Sequence, residues 1–482
     1  MNKPTTLLAL LASGICSLSL AQALPPEVDA ALSRAKVPRE AVSLLVIEAD
    51  GRTAPRLSHR ALVPMNPASV MKLVTTYAAL DLLGPAYTWQ TPVYLGGPVR
   101  DGTLQGDLYI QGRGDPKLVA ERLWLLLRRV QGLGIQKIAG DIVLDRSAFA
   151  IDDTDPGSFD GEPLRPYNAT PDAFLVNFKS LVMTFVPDTG NNLARIQYEP
   201  PLGGVQLPAS VPLSGGACND YRATLQGDFN DATRVRFGGS FPAACGERVW
   251  PVAYVDPASY SARAVEGLWR EMGGQLVGRV RDGRLPTAPG KTLKPVFEMS
   301  SPSLAEVVRD VNKYSNNIMA QHVLLSLSLP VRPAIGANPL PEQAPASTQA
   351  SREVLLRWWK DRFGSDDLPV LDNGAGLSRD GRISAQALGR LLQTAYRSPL
   401  MPELMASLPI SGIDGTLKRS KAQSQGTAHL KTGSLRDVTA VAGYVLANSG
   451  KRYIMVAMAN HANAGAMRPA FDALQDWVVR DN

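Results

Sequence analysis

Two kinds of apolar pattern divide the chain. Residues 41–49 (Ala-Val-Ser-Leu-Leu-Val-Ile-Glu-Ala) form an apolar run of strand length, and Asp50-Gly51 marks a hairpin turn with an extended return behind it. The opposite end mirrors this pattern. Strands over about 438–447 and 452–460 flank the turn Asn448-Ser449-Gly450-Lys451, and an amphipathic helix closes the chain near 464–480. Both ends therefore read as strands of one antiparallel sheet with helices on its faces. Between Thr91 and Pro286 the period shortens to alternating strands separated by Gly and Pro turns (91–95, 105–111, 140–145, 181–187, 193–198, 233–237, 275–280). Two helices, near 117–133 and 257–273, interrupt them. Each runs into a glycine and then a strand, Gly140-Asp141-Ile142-Val143-Leu144 and Gly274-Gln275-Leu276-Val277, which reads as an internal repeat. Helices resume at about 303–314, 317–328, 352–363 and 384–396, and the Pro- and Ala-rich stretch Pro330–Ser347 reads as an exposed loop.

One helix start carries chemistry. In Asn66-Pro67-Ala68-Ser69-Val70-Met71-Lys72, Asn66 suits an N-cap, Pro67 suits the first helical position, and Gly84-Pro85 ends the run. That puts Ser69 in the first turn, where free N–H groups and the macrodipole favour a developing oxyanion. Lys72 then lies on the same face, close enough to take the hydroxyl proton. The helix is apolar nearly all round (Val70, Met71, Leu73, Val74, Tyr77, Leu80, Leu82, Leu83) and so is expected to be buried. Alone the pair is a weak signal, since a chain of this length carries about one Ser-x-x-Lys by chance.

Composition narrows the setting. The 482 residues, 45% hydrophobic and 20% charged, allow two or three globular domains. Lys3, the apolar run Leu7–Leu20 and Ala21-Gln22-Ala23 read as an export signal over 1–23. Ile15 before Cys16 disfavours a lipoprotein signal, and no later run is long enough to span a membrane. The expected product is a soluble exported protein that lies free in an oxidising compartment. In that oxidising setting Cys218 and Cys245 read as one disulfide, with two buried free thiols as the alternative. Four histidines without a paired ligand motif argue against a zinc site and against a Ser-His-Asp enzyme, so no metal and no cofactor are expected. A net charge of +6 suits work beside anionic wall polymer or peripheral association with a membrane, and is equally ordinary for an exported protein. No basic cluster interleaved with aromatics points to nucleic acid.

Two further polar signatures follow Ser69 in a definite order: Ser315-Asn316-Asn317 between two helices, and Lys431-Thr432-Gly433-Ser434 just before the terminal hairpin. Ser-x-x-Lys, Ser-x-Asn and Lys-Thr-Gly in that order resemble the active-site set of penicillin-binding proteins and serine β-lactamases. The long interval between Ser69 and Ser315 leaves room for inserted modules that compact β-lactamases lack. Asp372–Arg379, Ser411–Leu417, Gly112–Pro116 and Pro166–Ala169 narrow the resemblance to class C penicillin-binding proteins of the D-alanyl-D-alanine carboxypeptidase/endopeptidase type. The likeness implies an α+β fold, a serine β-lactamase/transpeptidase-like domain interrupted by β-rich inserted domains. The expected division is 24–90 and 290–482 for the catalytic domain, 91–165 and 245–289 for the first insert, and 166–244 for the second.

The same resemblance assigns roles. Ser69 attacks the carbonyl between two D-alanines of a peptidoglycan stem peptide, and β-lactams acylate it as covalent inhibitors. Lys72 is the base, Ser315 passes the proton to the leaving amine, and Asn317 orients Lys72 and the substrate amide. Lys431, Thr432 and Ser434 bind the terminal carboxylate, while Gly433 leaves the strand edge bare for a peptide. Backbone N–H groups of Ser69 and Ser434 form the oxyanion hole. Lys72 works only when neutral, which from an ordinary pKa of about 10.4 costs about 4.6 kcal/mol at pH 7. Burial and the charge of Lys431 reduce that cost. Arg379 stands as a substrate contact or a brace for its loop. Family members often carry a Trp-rich acidic segment that binds a diamino acid side chain; Phe159-Asp160-Gly161-Glu162 stands there without tryptophan, and Glu162 is the candidate contact. Glu162 also invites a β-lactamase reading, but the deacylating glutamate of class A enzymes follows the Ser-x-Asn element, whereas Glu162 precedes it. A non-catalytic wall-binding or penicillin-sensing protein is the remaining alternative.

Overall fold

The computed structural model describes residues 23–152, 154–288, 291–329 and 344–481. The expected export signal, apart from Ala23, and most of the Pro330–Ser347 loop lie outside them.

The termini do meet in one antiparallel sheet, in the order Leu57–His59, Val42–Glu48, Arg452–Asn460, Val438–Leu446, Ala428–Leu435. Its side chains alternate between two cores. Leu45, Ile47, Ile454, Val456, Ala442 and Tyr444 pack with helices Lys72–Leu83, Leu304–Tyr314, Asn317–Ser326, Thr348–Phe363 and Ala385–Tyr396. Leu44, Val46, Met455, Ala457 and Val445 pack with helices Pro26–Ala35 and Arg468–Val479. Because both faces are covered, these strands read as unbroken apolar runs. Helices Pro26–Ala35 and Met401–Ser407 were not predicted; neither has a side-chain N-cap bond, so the usual start signal is missing.

The middle of the chain builds its own core, from Val93 to Phe297. There the internal repeat is visible as geometry. After helix Ala120–Gly132 come Lys137–Ile138 and Ile142–Asp145; after helix Pro257–Glu271 come Gln275–Leu276 and Val280–Asp282, and the two units pair in parallel. A Cβ on Gly278 would lie 2.5 Å from the Gly140 carbonyl, so this close approach requires glycine. A second sheet runs Phe241–Pro242, Ser210–Ser214, Leu193–Glu199, Ser180–Asp188, Arg248–Ala253. Two strands thus sit across the expected divisions. Arg248–Ala253 pairs with Ser180–Asp188 rather than with the 257–282 unit, and Phe297–Ser300 pairs with Gln90–Leu95, extending an inserted sheet past residue 290. Cys218 and Cys245 are bonded to each other within this region.

Candidate active site

Asn66 closes a tight turn. Its Oδ1 accepts the Ala68 N–H at 2.9 Å and its Nδ2 donates to the Ser378 carbonyl at 2.9 Å. Ala68 is left-handed (φ 46°), and Ala68–Met71 wind as a 3-10 turn before the α-helix begins at Lys72. Ser69 therefore precedes the α-helix instead of occupying its first turn as expected. The turn is wedged between two glycines. A Cβ on Gly433 would meet the Pro67 carbonyl at 2.3 Å, and one on Gly376 (φ 72°) would meet the Ala68 carbonyl at 1.9 Å. Gly433 is thus required by the approach of the Pro67–Ser69 turn, a closer constraint than the bare strand edge expected of it.

The three sequence signatures converge. Lys72 Nζ lies 2.9 Å from Ser69 Oγ, 2.7 Å from Asn317 Oδ1 and 2.6 Å from the Ala375 carbonyl. Lys431 Nζ lies 2.9 Å from Ser315 Oγ and 2.7 Å from the Thr432 carbonyl. Ser315, left-handed at φ 59°, ends one helix, and Asn316 caps the next by accepting the Met319 N–H at 3.0 Å. Both lysine residues are 0% exposed. Desolvation, and after it the neighbouring Lys431 charge, holds the Lys72 amine well below its ordinary pKa. Desolvation likewise lowers Lys431, to about 7.

A neutral amine has two N–H groups and one lone pair. At Lys72 the Asn317 amide oxygen and the Ala375 carbonyl can only accept, so they take both N–H groups and leave the lone pair for the Ser69 hydroxyl. That is the hydrogen-bond pattern of a base set against a nucleophile.

The remaining predicted residues divide. Thr432 is half-buried, its hydroxyl 2.6 Å from that of Thr416, and Ser434 is exposed on the same strand. Arg379 is exposed with its guanidinium 4.7 Å over the Phe159 ring, joining the catalytic side to the inserted segment. Glu162 is exposed and paired with Arg165 at 3.3 Å, so its carboxylate is already partnered. Sequence reasoning missed two groups, the carbonyls of Ala375 and of Tyr167, the latter accepting from Asn317 Nδ2 at 3.1 Å. Both fall in the quoted Asp372–Arg379 and Pro166–Ala169 stretches, but a backbone oxygen carries no side-chain signature.

Fold and site together define a serine peptidase on a transpeptidase-like scaffold. The model of the D-Ala-D-Ala carboxypeptidase 3 (S13) family matches residues 24–480, and the chain belongs to that family. It is a serine-type D-Ala-D-Ala carboxypeptidase. The chain is 28% identical over 439 residues to the D-alanyl-D-alanine carboxypeptidase of an Actinomadura species, covering 86% of this chain and 76% of that one. It is 25% identical over 412 residues to the D-alanyl-D-alanine carboxypeptidase DacB of Haemophilus influenzae, covering 83% and 81%. The crystal structure of penicillin binding protein 4 (dacB) from Haemophilus influenzae matches with a TM-score of 0.70 at 21% identity, over 93% of this chain and 99% of that one. A predatory endopeptidase from Bdellovibrio bacteriovorus, solved with an immunity protein, matches at 0.53 and 15% identity over 91% and 93%. Among the described residues no helix is long and apolar enough to cross a membrane.

Proposed function

We propose that this enzyme removes the terminal D-alanine of peptidoglycan stem peptides in the periplasm through an acyl-enzyme on Ser69, and that it also cleaves DD-cross-links. The neutral Lys72 amine takes the Ser69 proton as Oγ attacks the penultimate D-alanine carbonyl. The C–N bond then breaks, and the proton reaches the leaving amine through Ser315, whose hydroxyl sits against Lys431. Water attacks the ester next and frees both Ser69 and the shortened peptide. Lys431, Thr432 and Ser434 hold the substrate carboxylate, and the N–H groups of Ser69 and Ser434 stabilise the oxyanion. A β-lactam enters as a cyclic analogue of the same peptide and leaves a slowly hydrolysed ester. The observation that carries the reading is the triple contact of Lys72, two acceptors and one hydroxyl about a buried amine.

Intact mass after penicillin treatment is expected to show one adduct per chain, located on the peptide containing Ser69. Ser69→Ala should show none, and an adduct surviving in that variant refutes the nucleophile. A labelled pentapeptide muropeptide should release D-alanine; retained binding without release points to the non-catalytic alternative. Rapid turnover of a chromogenic cephalosporin would instead indicate a β-lactamase.

A further inference from the structure

The Asn317 amide is held at both ends. Its Oδ1 accepts from Lys72 Nζ, and its Nδ2 donates to the Tyr167 carbonyl. Rotated by half a turn, the amide would set its oxygen against the Tyr167 carbonyl, and its NH₂ would compete with the Ser69 hydroxyl for the Lys72 lone pair. The Tyr167 carbonyl therefore decides which end meets the amine. Tyr167 comes from the inserted segment, which is folded around one carboxylate. Asp160 Oδ2 accepts the Tyr167 hydroxyl at 2.9 Å, while Oδ1 accepts Asn168 Nδ2 at 2.7 Å and the Glu162 N–H at 3.1 Å. Asn168 Nδ2 also reaches the Glu162 carbonyl at 3.0 Å, and Phe159 lies under Arg379.

We propose that Asp160 is a positioning residue: by folding residues 159–168 around itself it holds the Tyr167 carbonyl on Asn317, and through Asn317 it orients the Lys72 amine. The inserted region thereby completes the active site instead of only enlarging the surface around it. This rests on the Ser69 acyl-enzyme reading.

Fluorescent penicillin tests it, because a penicillin has no third stem residue for this segment to recognise. Asp160→Ala should lower the acylation rate constant about tenfold, the scale of one lost hydrogen bond to a reacting group, with noncovalent binding little changed. Tyr167→Phe, which removes only an exposed hydroxyl, should lower it less. Asp160→Asn should restore it, since an asparagine oxygen keeps the Asn168 and Glu162 bonds and its NH₂ can donate to the Tyr167 hydroxyl. Normal acylation in folded Asp160→Ala, or no rescue by Asp160→Asn, overturns the proposal. If wild type takes no label, the acyl-enzyme reading fails, and the clamp is judged by NMR of ¹⁵N-asparagine-labelled protein. An Asn317 side-chain signal that shifts or broadens in Asp160→Ala and returns in Asp160→Asn supports it; an unmoved signal overturns it.

Discussion

Two regions of the molecule bury lysine in opposite ways. Where the inserted sheets meet helix Asn317–Ser326, Lys179 lies 3.3 Å from Asp172, which also binds Arg146 at 3.0 Å. Lys313, on the helix before the Ser315 turn, pairs with Asp414 at 2.5 Å. At the candidate active site, Lys72 and Lys431 meet carbonyl, amide and hydroxyl oxygens instead. The difference is chemical. A carboxylate partner stabilises an ammonium and makes a brace, whereas neutral oxygens beside a second lysine leave a buried amine free to give up its proton.

Removing the proposed base gives the largest effect. Lys72→Met should slow penicillin acylation about a thousandfold, the usual span of general base catalysis, in a chain at least as heat-stable as wild type because a desolvated amine has gone. Converting one kind of lysine into the other is sharper. Asn317→Asp gives Lys72 a carboxylate partner, which favours its charged form and raises its pKa, so acylation near pH 7 should fall about a hundredfold. The neutral amine then forms only at higher pH. Partial recovery as pH rises separates this cause from simple loss of the Tyr167 contact, which pH would not restore.

Stability should report Lys431 directly. Its pKa is lowered from 10.5 to about 7 on folding, so between those values the unfolded chain binds more protons than the folded one. Stability then rises with pH across that window, and the penalty for burying the amine is fully present below about pH 7. Lys431→Met lacks this titration. Its melting temperature should exceed that of wild type most at pH 7 and approach it by pH 10; a constant gap would mean that Lys431 is not desolvated as described.

How much of this was legible in sequence depended on the kind of group. The Ser69, Lys72, Ser315, Asn317 and Lys431 side chains could be found because hydroxyls, amines and an amide in fixed order are visible as letters. The terminal strands could be found because both their faces are buried. What escaped was geometry imposed from a distance. The left-handed Ala68 and the 3-10 turn follow from the Gly376 and Gly433 backbones pressing on residues 67–69, which local propensity around Asn66-Pro67 cannot encode. No strand was expected at 248–253, which the expected division groups with 245–289 in the first insert, yet these residues form a strand whose partner is Ser180–Asp188, a long-range pairing that local pattern does not encode. Glu162 drew attention as a carboxylate, while nothing in the letters revealed Arg165 as its partner or Asp160 as the hub of the segment.

The smallest effect is expected at Lys179, and it tests the comparison from the other side. Lys179→Met removes a cation whose side chain is 8% exposed, but Asp172 keeps Arg146 and the Phe174 N–H at 2.9 Å, so no buried charge is stranded. Removing one member of a buried pair is costly when it strands the other, and here Arg146 still neutralises Asp172, so unfolding free energy should move by about 1 kcal/mol or less. Acylation by penicillin should stay within about twofold of wild type, against the thousandfold loss expected at Lys72. If Lys179→Met slowed acylation as severely while remaining folded, the partner a buried lysine keeps would say nothing about its task, and the neutral oxygens around Lys72 could no longer be taken as the mark of a base.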